Sequence, residues 1–266
     1  MTDRDFSTIC QLAYKITGIK LSDHKRNMVY GRLARRLRKL NLGSFQEYCE
    51  LLEQEHSPEE SEFVNSITTN LTSFFRESHH FDHLKSVVIP ELKLKNRDTR
   101  KIRIWSAGCS TGEEPYSIAM SVKSVGDLAG WDIKILATDL DTNVVEKASS
   151  GVYTQDRVEK IPPEYNRFFQ ISKGSDKIRI RDEVRDLITF KQLNLLHQWP
   201  MKGPFDIIFC RNVVIYFDAD TQKVLFDRYR NILTPQGYLY IGHSENLHKI
   251  SRSFVSKGRT IYQRMD

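Results

Sequence analysis

No apolar run in this chain approaches the roughly 18 residues that a membrane span needs. The opening residues, Met-Thr-Asp-Arg-Asp-Phe, hold no signal-peptide apolar core, so a cytoplasmic setting is expected. Cysteine is sparse: Cys10, Cys49, Cys109 and Cys210 lie far apart and form no Cys-x-x-Cys pair. A disulfide framework or zinc centre is therefore not expected, nor any other metal site, and a reducing compartment fits. Internal repeats and low-complexity tracts are absent too. So are two phosphate-binding patterns, Gly-x-Gly-x-x-Gly and the Gly-Lys-Ser/Thr of a P-loop.

Charge is present but concentrated. The 266 residues carry a net +6. Residues 23 to 43 alone hold Lys25, Arg26, Arg32, Arg35, Arg36, Arg38 and Lys39 against the single acid Asp23. The remainder is neutral, so one local surface is built to meet an acidic partner. Val29, Leu33, Leu37 and Leu40 follow helical spacing. At ~100° per residue, Arg32, Arg35, Arg36 and Lys39 fall within an arc of roughly 100° beside that stripe. An amphipathic helix with a cationic flank is expected, set against the alternative of a solvated face whose arginine stems cover apolar area.

The chain is organised around Ile102 to Ser117, which reads as strand, glycine turn and helix. Gly108 and Gly112 let backbone approach a ligand, and the following helix offers free N–H groups. Glu113 and Glu114 come directly after, so a phosphate there would meet two carboxylates. The turn suits a nucleoside without phosphate, carrying positive charge; S-adenosylmethionine meets that description.

Around this stretch, residues 1–66 read as helices. Ser44 and Ser57 each open a capping box, closed by Glu47 and Glu60. Thr72 or Ser73 is the expected cap of a further helix, with Phe74 and Phe75 in the core. His79 and His80 read as surface or packing residues. Pro90 to Lys101 is charge-rich and reads as a surface connection. Alternating strands and helices follow, with Ile133 to Asp139 a buried-type strand ending in an acid. Either Asp139 or Asp141 could cap the next helix. Gly151 to Glu183 interrupts the alternation with turn chemistry and a period-two stretch from Lys177, a small β insertion. Buried strands resume at Ile188, Pro204 and Tyr238, a helix spans Thr221 to Leu233, and Thr260 to Arg264 reads as the last strand. Ligands of open α/β sheets bind at the carboxyl ends of strands. Here those ends are Gly108 to Glu114, Asp139, Asn194 and Arg211-Asn212, all polar or glycine.

Five segments resemble the chemotaxis receptor methyltransferases, the CheR family. They are Asn70-Leu-Thr-Ser-Phe-Phe-Arg76, Ser110-Thr-Gly-Glu-Glu-Pro-Tyr-Ser117, Ala137-Thr-Asp-Leu-Asp141, Cys210-Arg-Asn-Val-Val-Ile-Tyr-Phe217 and Gly242-His-Ser-Glu-Asn246. The resemblance covers essentially the whole chain. It implies an α/β fold of class I, Rossmann-like: a seven-stranded, mostly parallel sheet, a small antiparallel insertion at about 152–187, and an N-terminal all-helical domain. It divides the chain into a helical substrate-recognition domain (1–66), a linker that closes over the cofactor (67–101) and a methyltransferase domain (102–266).

The implied activity is S-adenosylmethionine-dependent methylation of receptor glutamates, giving methyl esters and S-adenosylhomocysteine. By the same resemblance Asn70, Thr72 and Arg76 close over the sulfonium end of the cofactor. Glu114 takes the methionine ammonium and Asp139 the ribose hydroxyls. Asn194 with Leu195 holds the adenine side, and Asn212 with Val213 forms the strand-four wall. Gly108 and Arg211 complete the cofactor set. Arg76 and Tyr216 are the candidates that orient the substrate carboxylate, and Glu113 is a helix-start residue. Arg32, Arg35, Arg36 and Lys39 become the receptor-binding surface. The implied partners are methyl-accepting receptors, without nucleic acid or membrane insertion, and the enzyme is expected to be a monomer. The turn Ile171 to Ile178 has one glycine and looks short for binding a receptor's C-terminal tether, so a tether-independent enzyme is expected.

Two other classes compete. A nucleic-acid methyltransferase would use this fold and a basic patch. Yet Asn212-Val-Val-Ile-Tyr216 lacks the prolines of amino-methylating enzymes, and Cys210 sits within a strand and not in a nucleophile loop. A cofactor-binding signalling adaptor without catalysis stays open from sequence.

Overall fold

The computed structural model describes residues 1–171, 176–248 and 250–266. Four helices come first: α1 (Asp3–Thr17), α2 (Arg26–Leu40), α3 (Phe45–Glu53) and α4 (Glu60–Ile67). They bury a common core that includes Ile9, Val29, Leu33, Tyr48 and Phe63, so the expected stripe of α2 faces inward. The Ser44 cap forms: its Oγ accepts from the Glu47 N–H at 3.2 Å. The Ser57 box does not. Its Oγ accepts from the Glu59 N–H at 3.4 Å, and α4 begins at Glu60 without a side-chain cap.

Residues 68–78 follow as an irregular strap, not the helix start expected at Thr72 or Ser73. Phe74 and Phe75 are buried as expected. The helix begins only at α5 (His79–His83) and runs through a π-turn (Leu84–Val88) into α6 (Ile89–Lys95). The charged stretch after Pro90 is thus partly helical, because Ile89 and Leu92 pack into the core while the lysines face out. Pro90 falls where the π-turn passes into the first turn of α6. His80 is fully buried.

The alternating part comprises β1 (Lys101–Ala107), α7 (Glu113–Lys123), β2 (Asp132–Asp139) and α8 (Thr142–Ser150). Then come β3 (Val152–Thr154), β4 (Phe169–Ile171), β5 (Lys177–Ile180), the short α9 (Asp182–Arg185), β6 (Ile188–Gln192) and β7 (Phe205–Cys210). The chain ends with α10 (Ala219–Ile232), β8 (Leu233–Ile241), β9 (Phe254–Gly258) and β10 (Ile261–Arg264). Seven strands form one sheet in the order β6-β2-β1-β7-β8-β10-β9, and β3-β5-β4 form a second. The first five are parallel to their neighbours, and β10 runs antiparallel to β8 and β9. The expected seven-stranded α/β architecture is therefore present, and the insertion is antiparallel as read. Strand β9 escaped sequence reading because it is an edge strand with only Phe254 buried. The turn invoked for receptor tethering falls largely on residues 172–175, outside the described residues.

Strand order reverses between β1 and β7, the place where adjacent loops part and a ligand crevice opens in such sheets.

Candidate active site

The site starts from the turn after β1. Gly108 has φ 107° and Gly112 φ 98°, a backbone region that side chains avoid. A Cβ on Gly108 would lie 2.3 Å from Val213 Cγ2. The turn is held to β2 by the Gly108 and Cys109 N–H groups, which donate to the Thr138 carbonyl at 2.8 and 2.9 Å. Glu113 opens α7 as expected. It is fully buried and bonded by Thr111 Oγ1 and the Arg157 guanidinium.

A pocket of about 1050 Å³, open solvent included, lies beside this turn. Asn70, Thr72, Arg76, Gly108, Glu114, Asp139, Asn194, Leu195, Arg211, Asn212, Val213 and Tyr216 all line it. The residues proposed for cofactor and acceptor thus meet in one place. The four cations of α2 are not among them. Arg36 forms a bidentate pair with Glu59, both bonds 2.7 Å, and contacts Glu62 at 2.7 Å. Arg32 donates to the carbonyls of Ser66 and Thr68. These two brace α2 on α4 and the strap; Arg35, Arg38 and Lys39 are the exposed cations of the helix.

Glu114 and Asp139 supply the pocket's acidic groups. Glu114 accepts from Ser106 Oγ at 2.7 Å and from Arg211 Nη1 at 3.2 Å. Burial pushes its pKa up, and the Arg211 charge and the Ser106 bond oppose that. Asp139 accepts from the N–H groups of Ser110 at 2.7 Å and Asp141 at 3.1 Å. Burial outweighs these bonds and raises it to about 6. Asp141, and not Asp139, caps α8.

Arg211 is itself buried and does several jobs. Besides Glu114, it faces Glu77 Oε2 at 3.3 Å, donates to the Arg76 carbonyl and stacks over Phe81. Burial alone would raise the Glu77 carboxyl. The bonds from His243 and the charge of Arg211 overcome that and hold it at about 2. Asn212 adopts φ 59° and is fixed by Glu245, which accepts from the N–H groups of Asn212, Ile215 and Gly242.

Asn194 uses its amide structurally: Nδ2 donates to the Ile16 carbonyl at 2.9 Å, and Oδ1 accepts from the Leu196 N–H at 3.0 Å. Tyr216 lies under Lys25, whose Nζ is 4.8 Å from the ring centroid. Sequence reasoning missed Thr17, Ile19 and Lys25, which bring the helical region into the pocket wall. It also gave no role to Glu77, the acid directly after the quoted Asn70–Arg76 segment, or to Glu245, which lies inside the quoted Gly242–Asn246 segment.

S-adenosylmethionine presents an ammonium, a sulfonium and a ribose diol. A crevice with two carboxylates, a glycine turn and a strap that presents Thr69, Asn70, Thr72 and Ser73 fits those groups. Comparison with known families decides the matter. "CheR methyltransferase, SAM binding domain" matches residues 70–262, and "CheR methyltransferase, all-alpha domain" matches residues 4–68.

The chain belongs to the CheR methyltransferase family.

It is 45% identical to the chemotaxis protein methyltransferase of Escherichia coli (strain K12), over 98% of this chain and 91% of that protein. It is 46% identical to chemotaxis protein methyltransferase 2 of Pseudomonas aeruginosa PAO1, over 98% and 93%. A probable chemotaxis protein methyltransferase of Rhizobium etli shares 43% over 95% and 96%. This CheR methyltransferase uses S-adenosylmethionine and is an enzyme of chemotaxis; methylation of receptor glutamates is the known role of its family. No described helix is long and apolar enough to cross a membrane.

Proposed function

We propose that this chain acts as a cytoplasmic monomer that esterifies glutamate side chains on acidic helices of chemotaxis receptors, in the pocket described above. The observation that carries this is the presence of both charges within one crevice. Glu114, partnered by the buried Arg211, and Asp139 line the crevice with the glycine turn, and Arg76 of the strap, Lys25 of the helical region and Tyr216, which packs on the helical core, line it as well. A cationic ligand belongs at the carboxylates and an anionic acceptor at the cations. In this reading residues 1–66 recognise substrate, 67–101 close over the cofactor and 102–266 hold it.

Bound S-adenosylmethionine supplies an activated methyl group on a sulfonium. The acceptor glutamate, with an ordinary pKa near ~4.3, is already ionised at neutral pH, so no general base is required. What remains for the protein is placement, worth roughly 7–11 kcal/mol when geometry is right. Arg76 orients the acceptor through charge-assisted bonds, and Tyr216 does so through its hydroxyl. Asn70 and Thr72 on the strap cover the cofactor, and Gly108 with Val213 shapes its wall. Arg211 acts through Glu114. Asn194 and Leu195 bound the adenine side, with Asn194 contributing backbone because its amide is engaged. On α2, Arg35 and Lys39 meet the receptor, while Arg32 and Arg36 hold the helix in place.

One assay tests the reading. Labelled S-adenosylmethionine is incubated with receptor-bearing membranes and the purified protein, then treated with mild base. Volatile labelled methanol is the expected product of a methyl ester. Base-stable label, or label on nucleic acid, would sink the proposal.

A further inference from the structure

The hydrogen bonds beneath the strap close on themselves. The Asp141 N–H donates to Asp139 Oδ1 at 3.1 Å, and the Ser110 N–H donates to Asp139 Oδ2 at 2.7 Å. Ser110 Oγ donates to the Asn70 carbonyl at 2.9 Å. Asn70 Nδ2 in turn donates to Asp141 Oδ2 at 2.7 Å. Four residues from three segments thereby form one ring: the turn after β1, the end of β2 and the strap.

Two members, Ser110 and Asp141, have so far been given no part in the pocket. Ser110 sits at φ 48°, a region uncommon for residues other than glycine. That conformation accompanies an N–H directed at Asp139 and a hydroxyl directed at the strap. Asp141 is 2% exposed. Its Oδ1 caps α8 through the N–H groups of Asn143 and Val144, while Oδ2 accepts from both Asn70 and Thr68. Every contact made by this carboxylate is an accepted bond. An amide cannot satisfy both sides, because one of its ends only donates.

We propose that Ser110 and Asp141 are positioning residues for cofactor binding. They lock the ribose-side carboxylate, Asp139, and the covering residue, Asn70, into a single unit. The strap then cannot shift without moving Asp139, and the site gains or loses its grip as a whole. This rests on the reading of Asp139 and Asn70 as cofactor contacts.

Titration calorimetry with S-adenosylhomocysteine tests it on the full chain, comparing wild type, Ser110→Ala, Asp141→Asn and the double variant, with Tm recorded for each. Each single change is expected to weaken binding about tenfold, the scale of one lost bond to a charged or fixed group. The double variant is expected to match the weaker single, because a ring opened once is already open. Two losses that simply multiply would mean independent local contacts and would overturn the proposal. So would unchanged affinity in either single variant. If Asp141→Asn does not fold, Ser110→Ala decides alone by its affinity. A wild type that fails to bind the probe would instead refute the cofactor pocket itself, an outcome separate from the variants behaving like wild type.

Discussion

Arg211 Nη1 lies 3.2 Å from Glu114 Oε2, and the same guanidinium faces Glu77 on the strap at 3.3 Å. One buried cation therefore serves two carboxylates from segments far apart in sequence. Removing it leaves Glu114 with the Ser106 bond and Glu77 with the bonds from His243, and takes the cationic partner from both. Arg211→Met is expected to destabilise the fold by about 3 kcal/mol or more, the scale of an uncompensated buried charge. Denaturant unfolding checks this; a loss below about 1 kcal/mol would show that the carboxylates find other partners.

Asp139 gives a pH signature. Its ordinary pKa is 3.8 and burial raises it to about 6. Between those values the folded chain holds a proton that the unfolded chain does not. This group therefore favours folding as pH falls through about 6, and costs stability above it. With Asp139 in its proposed role as acceptor for the ribose hydroxyls, ligand binding should run the other way, since that role needs the ionised form. Affinity for S-adenosylhomocysteine is expected to fall as pH drops below about 6. Asp139→Asn should bind weakly and without that step; a step that persists in this variant would assign it elsewhere.

Gly108 combines φ 107° with a Cβ position 2.3 Å from Val213 Cγ2. Gly108→Ala is expected to cost about 1–3 kcal/mol and to weaken cofactor binding, through the clash and the backbone conformation together. Adding Val213→Ala removes the clash and leaves the backbone part, so the double variant should recover part of the stability. No recovery in a thermal melt would place the whole cost in the backbone.

The cations of α2 should separate by environment. Arg36 is paired with Glu59, whose side chain is 4% exposed, so Arg36→Ala is expected to cost about 3 kcal/mol of stability. Arg35→Ala should change stability by no more than about 0.5 kcal/mol. Reversing Arg35 and Lys39 to Glu should raise KM for receptor at low salt and leave cofactor affinity unchanged. Equal receptor kinetics in that variant would remove them from the docking surface.

What could be read from sequence was local. Gly108, Glu114 and Asp139 announce themselves because small and acidic residues end apolar runs, and period two marks the insertion. What escaped was set by distant partners. Arg36 looks like an exposed cation until Glu59, 23 residues away, packs against it. Thr17, Ile19 and Lys25 have no local pattern that marks a pocket wall; the docking of the first helices on the sheet puts them there. Strand β9 buries too little to alternate. The charged run after Pro90 hides a helix because only Ile89 and Leu92 need to face inward.

The first helices do more than dock beside the pocket. Asn194 holds the Ile16 carbonyl, the Lys20 N–H donates to the Tyr216 carbonyl, and Tyr14 donates to Asp218 at 2.6 Å. The proposed cofactor pocket is thus a seam, lined by Thr17 and Ile19 of the helical region and by Asp139 and Val213 of the sheet region. A ligand gripped by both regions acts as an adhesive. At a free concentration a hundredfold above Kd it adds about 2.7 kcal/mol to whatever holds them together. The helical region held in this way is the one that carries α2, with Arg35 and Lys39 exposed on its surface.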